Sequence, residues 1–458
     1  MTISITRETI KKFDVVGPRY TSYPTAPQWT NEFDQNSYIT KLQRFAKTDK
    51  SLSLYIHIPF CQSMCTYCGC NVIIRPQENK YGDEYVSYLE KEIDLLTKHI
   101  GQDRKIKQFH WGGGTPTYLN NEQIKRLFTK VQNSFDLDQD AEIAIEIDPR
   151  TIDLPKVKLL KELGFNRISM GVQDFDHNVQ EEINRVQSFE IVKEFYDYCR
   201  ELNFSSVNFD LIYGLPKQTQ ESFIDTVDQV IALKPDRIAL YSFAFVPWLK
   251  KHQNKINQEH LPNSDDKLDI FLQSRNKFLA SGYEAIAMDH FALSKDEMAK
   301  AFNENRLYRN FMGYTTKPAD EFIGIGLTSI GFLEESFIQN TKLINEYYAM
   351  LDEGKLPVER GLNLSKDDVI RQWLISQIMC HFELNKKQFS EQFNVSFDEY
   401  FKAEEQHIKN CVNDGLLEEK DGIISVTELG KLFVRNICMG FDVYLKQKSG
   451  EQRYSRTI

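Results

Sequence analysis

Apolar positions along the first half of the chain follow two periods in turn. Short runs in which apolar side chains dominate or alternate lie at 51–58, 105–111, 142–147, 167–172, 206–212 and 237–243, each of strand length. Between them the period becomes helical. Over 81–100, Val86, Leu89, Ile93 and Leu96 fall on one face, and shorter helical stretches follow at 155–163 and 221–233. About six strand–helix repeats predict an α/β fold whose parallel sheet curls into a barrel. Fewer than eight repeats leaves that barrel partial and open, which admits a large substrate.

On either side of this pattern the chain changes character. Residues 1–50 form an N-terminal arm, in which Pro18, Arg19, Tyr20, Thr21, Ser22, Tyr23, Pro24 and Thr25 predict an extended segment over the surface. The barrel spans 51–250, and 251–363 is a barrel extension and connecting segment that opens with a Lys-, Gln- and Asn-rich loop. From 364 to 458 the composition turns to a mainly helical domain, with helices at 366–380, 386–393 and 397–414. The stretches around Gly415 and Gly422 and a helix from Glu428 then follow in the order of a winged-helix wing and last helix. No basic recognition face accompanies them, so a structural lid is expected rather than a DNA-binding module.

Charge and length narrow the classes. The chain of 458 residues carries 56 Lys+Arg against 66 Asp+Glu, a formal charge of -10 that argues against nucleic acid as a partner but leaves a local basic pocket possible. The start, 1–13, lacks the apolar core of a signal peptide, and no apolar run approaches the roughly 18 residues of a membrane span. A cytoplasmic protein is expected, with a monomer as the default state.

Cysteine placement carries the chemistry. Of eight cysteines, Cys61, Cys65, Cys68 and Cys70 fall within ten residues directly after the first strand. Cysteines clustered in a cytosolic chain usually mean metal or redox chemistry, and three thiolates at this spacing suit three irons of a 4Fe–4S cluster. Zinc is the competing reading, because Cys65, Cys68 and Cys70 are close enough to share one ion, although no second ligand pair follows downstream. Cys199, Cys380, Cys411 and Cys438 are scattered among apolar residues and are expected to be reduced and buried.

Strand ends add polar candidates. Gly112, Gly113, Gly114 and Thr115 follow the second strand, Glu146 ends the third, Gln173 the fourth, and Asp210 lies in the fifth. Each alone is equally a turn, a cap or a solvated strand end. Their recurrence at one rim is the rim where such barrels place active sites. Arg185 alone reads as a surface arginine, and His290 as a hydrogen-bonded structural histidine.

The cysteine stretch resembles the radical S-adenosylmethionine (SAM) superfamily. Tyr55 and His57 before it, Gly69 and Cys70 after it, and the 18–25 segment sharpen this to a resemblance to the oxygen-independent coproporphyrinogen III oxidase family, running essentially from Pro18 to the end of the chain. That resemblance implies one 4Fe–4S cluster on Cys61, Cys65 and Cys68, and two SAM molecules. It places Gly113, Gly114 and Thr115 against the methionyl amine, with Tyr67, Glu146, Gln173, Arg185, Asp210, Ala244 and Ile330 as further SAM contacts. Tyr55 and His57 become SAM or substrate contacts and proton donors, Cys70 a free thiol near the substrate, and Arg19 and Tyr20 substrate contacts. The implied reaction converts two propionates of coproporphyrinogen III to vinyl groups, giving protoporphyrinogen IX, with an external electron donor and acceptor. At Phe245 the sequence departs from the family, where histidine is expected, so no polar role carries over. Two alternatives are a haem-binding chaperone of the same superfamily, whose members generally lack the Cys-x-Cys ending and the arm motif, and a radical SAM methyltransferase.

Overall fold

The computed structural model describes residues 7–447 and 454–457, so residues 1–6 of the arm and 448–453 and 458 of the last unit lie outside the described residues. The six expected strands form as β1 (Leu52–Ile58), β2 (Lys105–Gly113), β3 (Asp136–Ile147), β4 (Arg167–Gln173), β5 (Ser206–Tyr213) and β6 (Arg237–Ser242). Neighbours in this series pair in parallel. The sheet is larger than six strands. Six more, β7 (Tyr283–Ile286), β8 (His290–Leu293), β9 (Glu321–Ile325), β10 (Ile330–Phe332), β11 (Ser336–Asn340) and β12 (Val358–Asn363), extend it to twelve in the order β12-β11-β10-β9-β1-β2-β3-β4-β5-β6-β8-β7. Because β9 also runs parallel to β1, seven strands are parallel, and the other five join antiparallel at the two edges. These additions are three to six residues long, too short for their periodicity to stand out.

Alternation along the strands separates scaffold from site. In β1, Leu52, Leu54, Ile56 and Ile58 are fully buried, and Ser53, Tyr55 and His57 take the opposite face. The apolar set joins Val86, Leu89, Ile93 and Leu96 of α1 (Asn79–Ile100) and the buried residues of α2 (Asn121–Ser134), α3 (Leu154–Glu162), α4 (Phe189–Glu201) and α5 (Gln220–Leu233) in one core.

The opposite face is polar, with a hydrogen-bonded floor. Ser53 donates to Gln108 Oε1 (3.0 Å), Gln108 donates to Glu142 Oε1 (3.2 Å), and Arg167 pairs with Glu142 (3.1 Å). These four buried side chains are thus paired with one another. The residues one and two pleats higher, toward the strands' C-terminal ends, are left to form the site.

A second core joins the arm to the C-terminal segment. Tyr20 and Tyr23 are buried with residues from α6 (Lys366–His381) onward, so the arm does not run over the surface as expected. Two aromatic rings carry too much apolar area to leave in water. Tyr20 donates to Asp442 (3.1 Å), and Arg435 donates to the Pro18 (2.9 Å) and Gly17 carbonyls.

The helix expected at 397–414 is also corrected. It breaks at Phe401 (φ -97°, ψ 27°) into Phe397–Tyr400, a 3-10 turn at Lys402–Glu404, and Glu405–Asn413. The break lets Phe397 and Phe401 both pack on Phe389, with ring centroids 5.4 and 5.6 Å away. Among the described residues no helix is long and apolar enough to cross a membrane.

Candidate active site

The turn after β1 carries the cysteines to the C-terminal rim of the sheet. There they line one cavity of about 460 Å³ together with Tyr67, Gly113, Gly114, Thr115, Glu146, Gln173, Arg185, Asp210 and Ala244. Residues from four strands and four loops therefore converge. Tyr55, His57 and Ile330 stand outside this wall.

His57 packs directly behind Gly113, whose φ of 119° and contact distance, 2.8 Å from a notional Cβ to the imidazole, admit only glycine. Its Nδ1 lies 3.0 Å from the Tyr55 hydroxyl, and its Nε2 is 3.3 Å from the Asn71 carbonyl and 3.4 Å from Thr328 Oγ1. Burial holds the imidazole at about 4, so it is neutral at pH 7. Tyr55 in turn stacks on His110, which meets Glu146 at 3.3 Å.

The thiols have distinct surroundings. Cys61 Sγ is 3.3 Å from Thr115 Oγ1, and burial raises its thiol to about 11. Cys65 is backed by two guanidinium groups, Arg150 Nη2 at 3.7 Å and Arg185 Nη1 at 4.0 Å. Cys68 is lowered to about 7, chiefly by a hydrogen bond from Cys70, while the same bond raises Cys70 well above the usual range. Three thiols of one turn facing the same cavity, with Cys70 hydrogen-bonded to Cys68 as a thiol, fit cluster ligation by the first three. Among the described residues no three His, Cys, Asp or Glu side chains converge as a single zinc ion requires, whereas ligands to different irons have no such need.

Two carboxylates facing the cavity, Asp210 and Glu146, are hydrogen-bonded by neighbouring polar groups. Asp210 accepts from Ser169 (2.9 Å) and Asn208 (2.9 Å), and burial pushes it up to about 6, with the Glu146 charge adding to the rise. Glu146 accepts from Gly113 N at 3.3 Å. Two carboxylates facing one cavity fit a cationic ligand such as the sulfonium and ammonium of SAM.

Asp148 and Arg150 belong to the site and were not singled out from sequence. Burial alone would raise the Asp148 carboxyl, but Arg185 (2.9 Å) and Arg150 (2.7 Å) hold it at about 2. The available signal was period 2: Asp148 stands two residues past Glu146 and turns to the same side. Tyr241 and Ser242 of β6 and Ser169 of β4 also line the cavity, as does Arg19, whose Nη2 donates to Ser242 O (3.0 Å). Tyr20 points the other way, into the second core. His290 bonds Asp289 at 2.7 Å, and Phe245 packs beside Phe243, Ile183 and Ile256. The four scattered cysteines are buried and free.

Comparison with known proteins agrees with this geometry. A family model described as "Radical SAM superfamily" matches residues 55–230, and one described as "HemN C-terminal domain" matches 364–433. Oxygen-independent coproporphyrinogen III oxidases from Salmonella typhimurium and Escherichia coli K12 are 43% and 42% identical over 449 residues, 98% of this chain and 97% of each relative. A solved structure described as "Coproporphyrinogen III oxidase (HemN) from Escherichia coli is a Radical SAM enzyme" superposes with a TM-score of 0.91 at 40% identity, covering 97% of this chain and all of the other. With thiols, carboxylates and guanidinium groups gathered at one rim and this likeness over nearly its whole length, the chain belongs to the oxygen-independent coproporphyrinogen III oxidase family of radical SAM enzymes.

Proposed function

We propose that the chain decarboxylates two propionate side chains of coproporphyrinogen III oxidatively to vinyl groups, giving protoporphyrinogen IX and carbon dioxide without oxygen, as a step of haem synthesis. One observation carries this reading: the three thiols, the Glu146 and Asp210 carboxylates and Arg185 share one cavity in a chain aligned along 98% of its length with enzymes of that name. When bound, the 4Fe–4S cluster and SAM of this superfamily supply a 5'-deoxyadenosyl radical that removes a hydrogen atom from the propionate β-carbon.

The chain's own residues bind and orient. Cys61, Cys65 and Cys68 hold the cluster, with Thr115 beside the first thiol. The Gly113–Gly114 backbone and Thr115 approach the methionyl amine. Glu146 and Asp210 receive positive charge from SAM, and Arg185, fixed by Asp148, receives negative charge. Gln173, Tyr67 and Ala244 complete the wall. Tyr55 and His57 hold that wall from behind, and Ile330 adds an apolar contact next to them. The free Cys70 thiol serves the substrate.

Two SAM molecules suit a reaction performed twice. Each propionate carboxylate that loses one hydrogen atom and carbon dioxide leaves a vinyl group and one surplus electron. An external donor and an external acceptor are therefore both required, and the enzyme works in the cytoplasm as a monomer.

The finer architecture follows the same reading. Gly113 of β2 and Ser242 of β6 are separated by four strand steps, about 19 Å in a flat sheet, yet share one cavity, which supports a curled, open barrel. We assign 51–250 to this barrel, 251–363 to its extension, and 364–458 with part of the 1–50 arm to a covering domain, supported by the second core.

The test is an anaerobic assay of reconstituted protein with SAM, a reductant, an electron acceptor and coproporphyrinogen III. Protoporphyrinogen IX with one carbon dioxide per vinyl group is expected. Tight haem binding without any release of carbon dioxide would favour the chaperone alternative instead.

A further inference from the structure

The loop after the barrel strands, residues 246–256, clamps the cysteine turn from outside. His252 Nε2 lies 2.7 Å from the Cys68 carbonyl, Lys250 donates to the Cys70 carbonyl (3.1 Å), and Gln253 donates to the Tyr67 carbonyl (3.0 Å). Gln253 is fully buried and also takes the Val246 N–H at 2.6 Å, while Ile256 is anchored among Val179, Ile183, Leu215 and Phe243. The clamp is thus a built element, held from below.

Its outer side is unusual for this molecule. Trp248 is 41% exposed, and Leu249, at 60%, is the most exposed large apolar side chain among the described residues. The segment carries Lys250, Lys251 and Lys255 and no Asp or Glu, in a chain whose formal charge is -10. An apolar pair rimmed by like charges, against the sign of the whole chain, is the composition of a recognition patch. Gly69 and Cys70, one hydrogen bond below it, line the cavity that the cysteines share.

We propose that Trp248, Leu249, Lys251 and Lys255 form the docking surface of a small acidic carrier protein that brings single electrons to the cluster bound by Cys61, Cys65 and Cys68. This rests on the proposed function, which needs a donor. An acidic carrier is repelled by the average surface and attracted here, so charge steers it to the loop that clamps the cysteine turn. In the transfer one electron leaves the reduced carrier and enters the cluster, with no bond made or broken. That electron is consumed when the SAM carbon–sulfur bond breaks to methionine and the deoxyadenosyl radical.

The experiment uses reconstituted holoenzyme and a plant-type 2Fe–2S ferredoxin as the acidic probe. Titration calorimetry with oxidised ferredoxin measures binding, and stopped-flow absorbance measures cluster reduction by reduced ferredoxin and, separately, by dithionite. Expected are binding that weakens about tenfold or more in Trp248→Ala and in Lys251→Glu/Lys255→Glu, loss of wild-type binding at about 0.5 M salt, and unchanged dithionite reduction and SAM cleavage in both variants. Equal ferredoxin binding by wild type and variants, or no binding by wild type, overturns the proposal. So does an equal loss with dithionite, which would make the loop a support of the cluster or substrate. Absence of cluster or SAM cleavage in the wild type overturns the proposed function instead, and the calorimetry still decides the docking surface.

Discussion

Gly112 and Glu146 meet across the β2–β3 pair so closely that a Cβ on residue 112 would lie 2.8 Å from Glu146 Oε1. The glutamate end is flexible and its side chain is 44% exposed, so Gly112→Ala displaces the carboxylate and leaves the fold intact. Moved away, it no longer accepts from Gly113 N. SAM affinity, read by equilibrium dialysis, should fall about 10- to 150-fold in Gly112→Ala, Glu146→Ala and Asp210→Ala, the loss of one charge-assisted hydrogen bond, with iron content unchanged. Wild-type affinity in all three would return these residues to ordinary strand ends.

Cysteine replacement should divide the stretch in two. Cys61→Ala, Cys65→Ala and Cys68→Ala each remove a protein ligand, and anaerobically reconstituted protein should lose its 4Fe–4S absorbance and iron. Cys70→Ser should keep iron, sulfide and SAM binding but lose protoporphyrinogen formation. A full iron complement in any of the first three refutes the ligand set, and normal turnover by Cys70→Ser removes that thiol from the chemistry.

Arg185 predicts a stability effect as well as a binding one. Its guanidinium is buried against Asp148, so Arg185→Ala leaves a carboxylate out of water with only Arg150 beside it. Urea unfolding should show a loss of roughly 3 kcal/mol, the low end for breaking a buried pair, because Arg150 still compensates. An unchanged midpoint would mean that Arg150 alone neutralises Asp148.

Glu92 predicts a pH dependence. On α1 it accepts from Gly326 N (2.8 Å), Asn340 (2.6 Å) and the Tyr347 hydroxyl, and burial lifts its carboxyl from 4.5 to about 7. The folded state therefore binds more protons than the unfolded chain between those values. The Glu92 contribution is fully present below 4.5 and is lost as pH rises through 7, about 3 kcal/mol in all. Urea midpoints taken between about pH 5 and 8 should fall for wild type and stay level for Glu92→Gln. Parallel curves would show that Glu92 does not drive the slope. The same contacts hold the 326–330 loop, so Thr328 beside His57 depends on them.

Much of this was legible along the chain because parallel strands buried on one face write their period into local sequence. The six central strands, the helices between them and the cysteine turn needed only spacing, side-chain chemistry and a strand's alternation. The ten-residue cysteine density carried the cofactor class, and family resemblance added the proposed roles of Glu146, Gln173, Arg185 and Asp210. What spacing could not supply was partnership between residues far apart in the chain. Arg185 reads as a surface residue until Asp148, 37 positions earlier, is found 2.9 Å from it. Short added strands such as β10 and β12 are paired by tertiary contact, not by a pattern of their own. The arm's composition says extended, but Tyr20 and Tyr23 find a core only because the C-terminal segment folds back to residue 17, where Arg435 grips the carbonyl. Local period is encoded within a few residues, whereas burial, charge pairing and the walls of a cavity are decided by which distant surfaces the chain brings together.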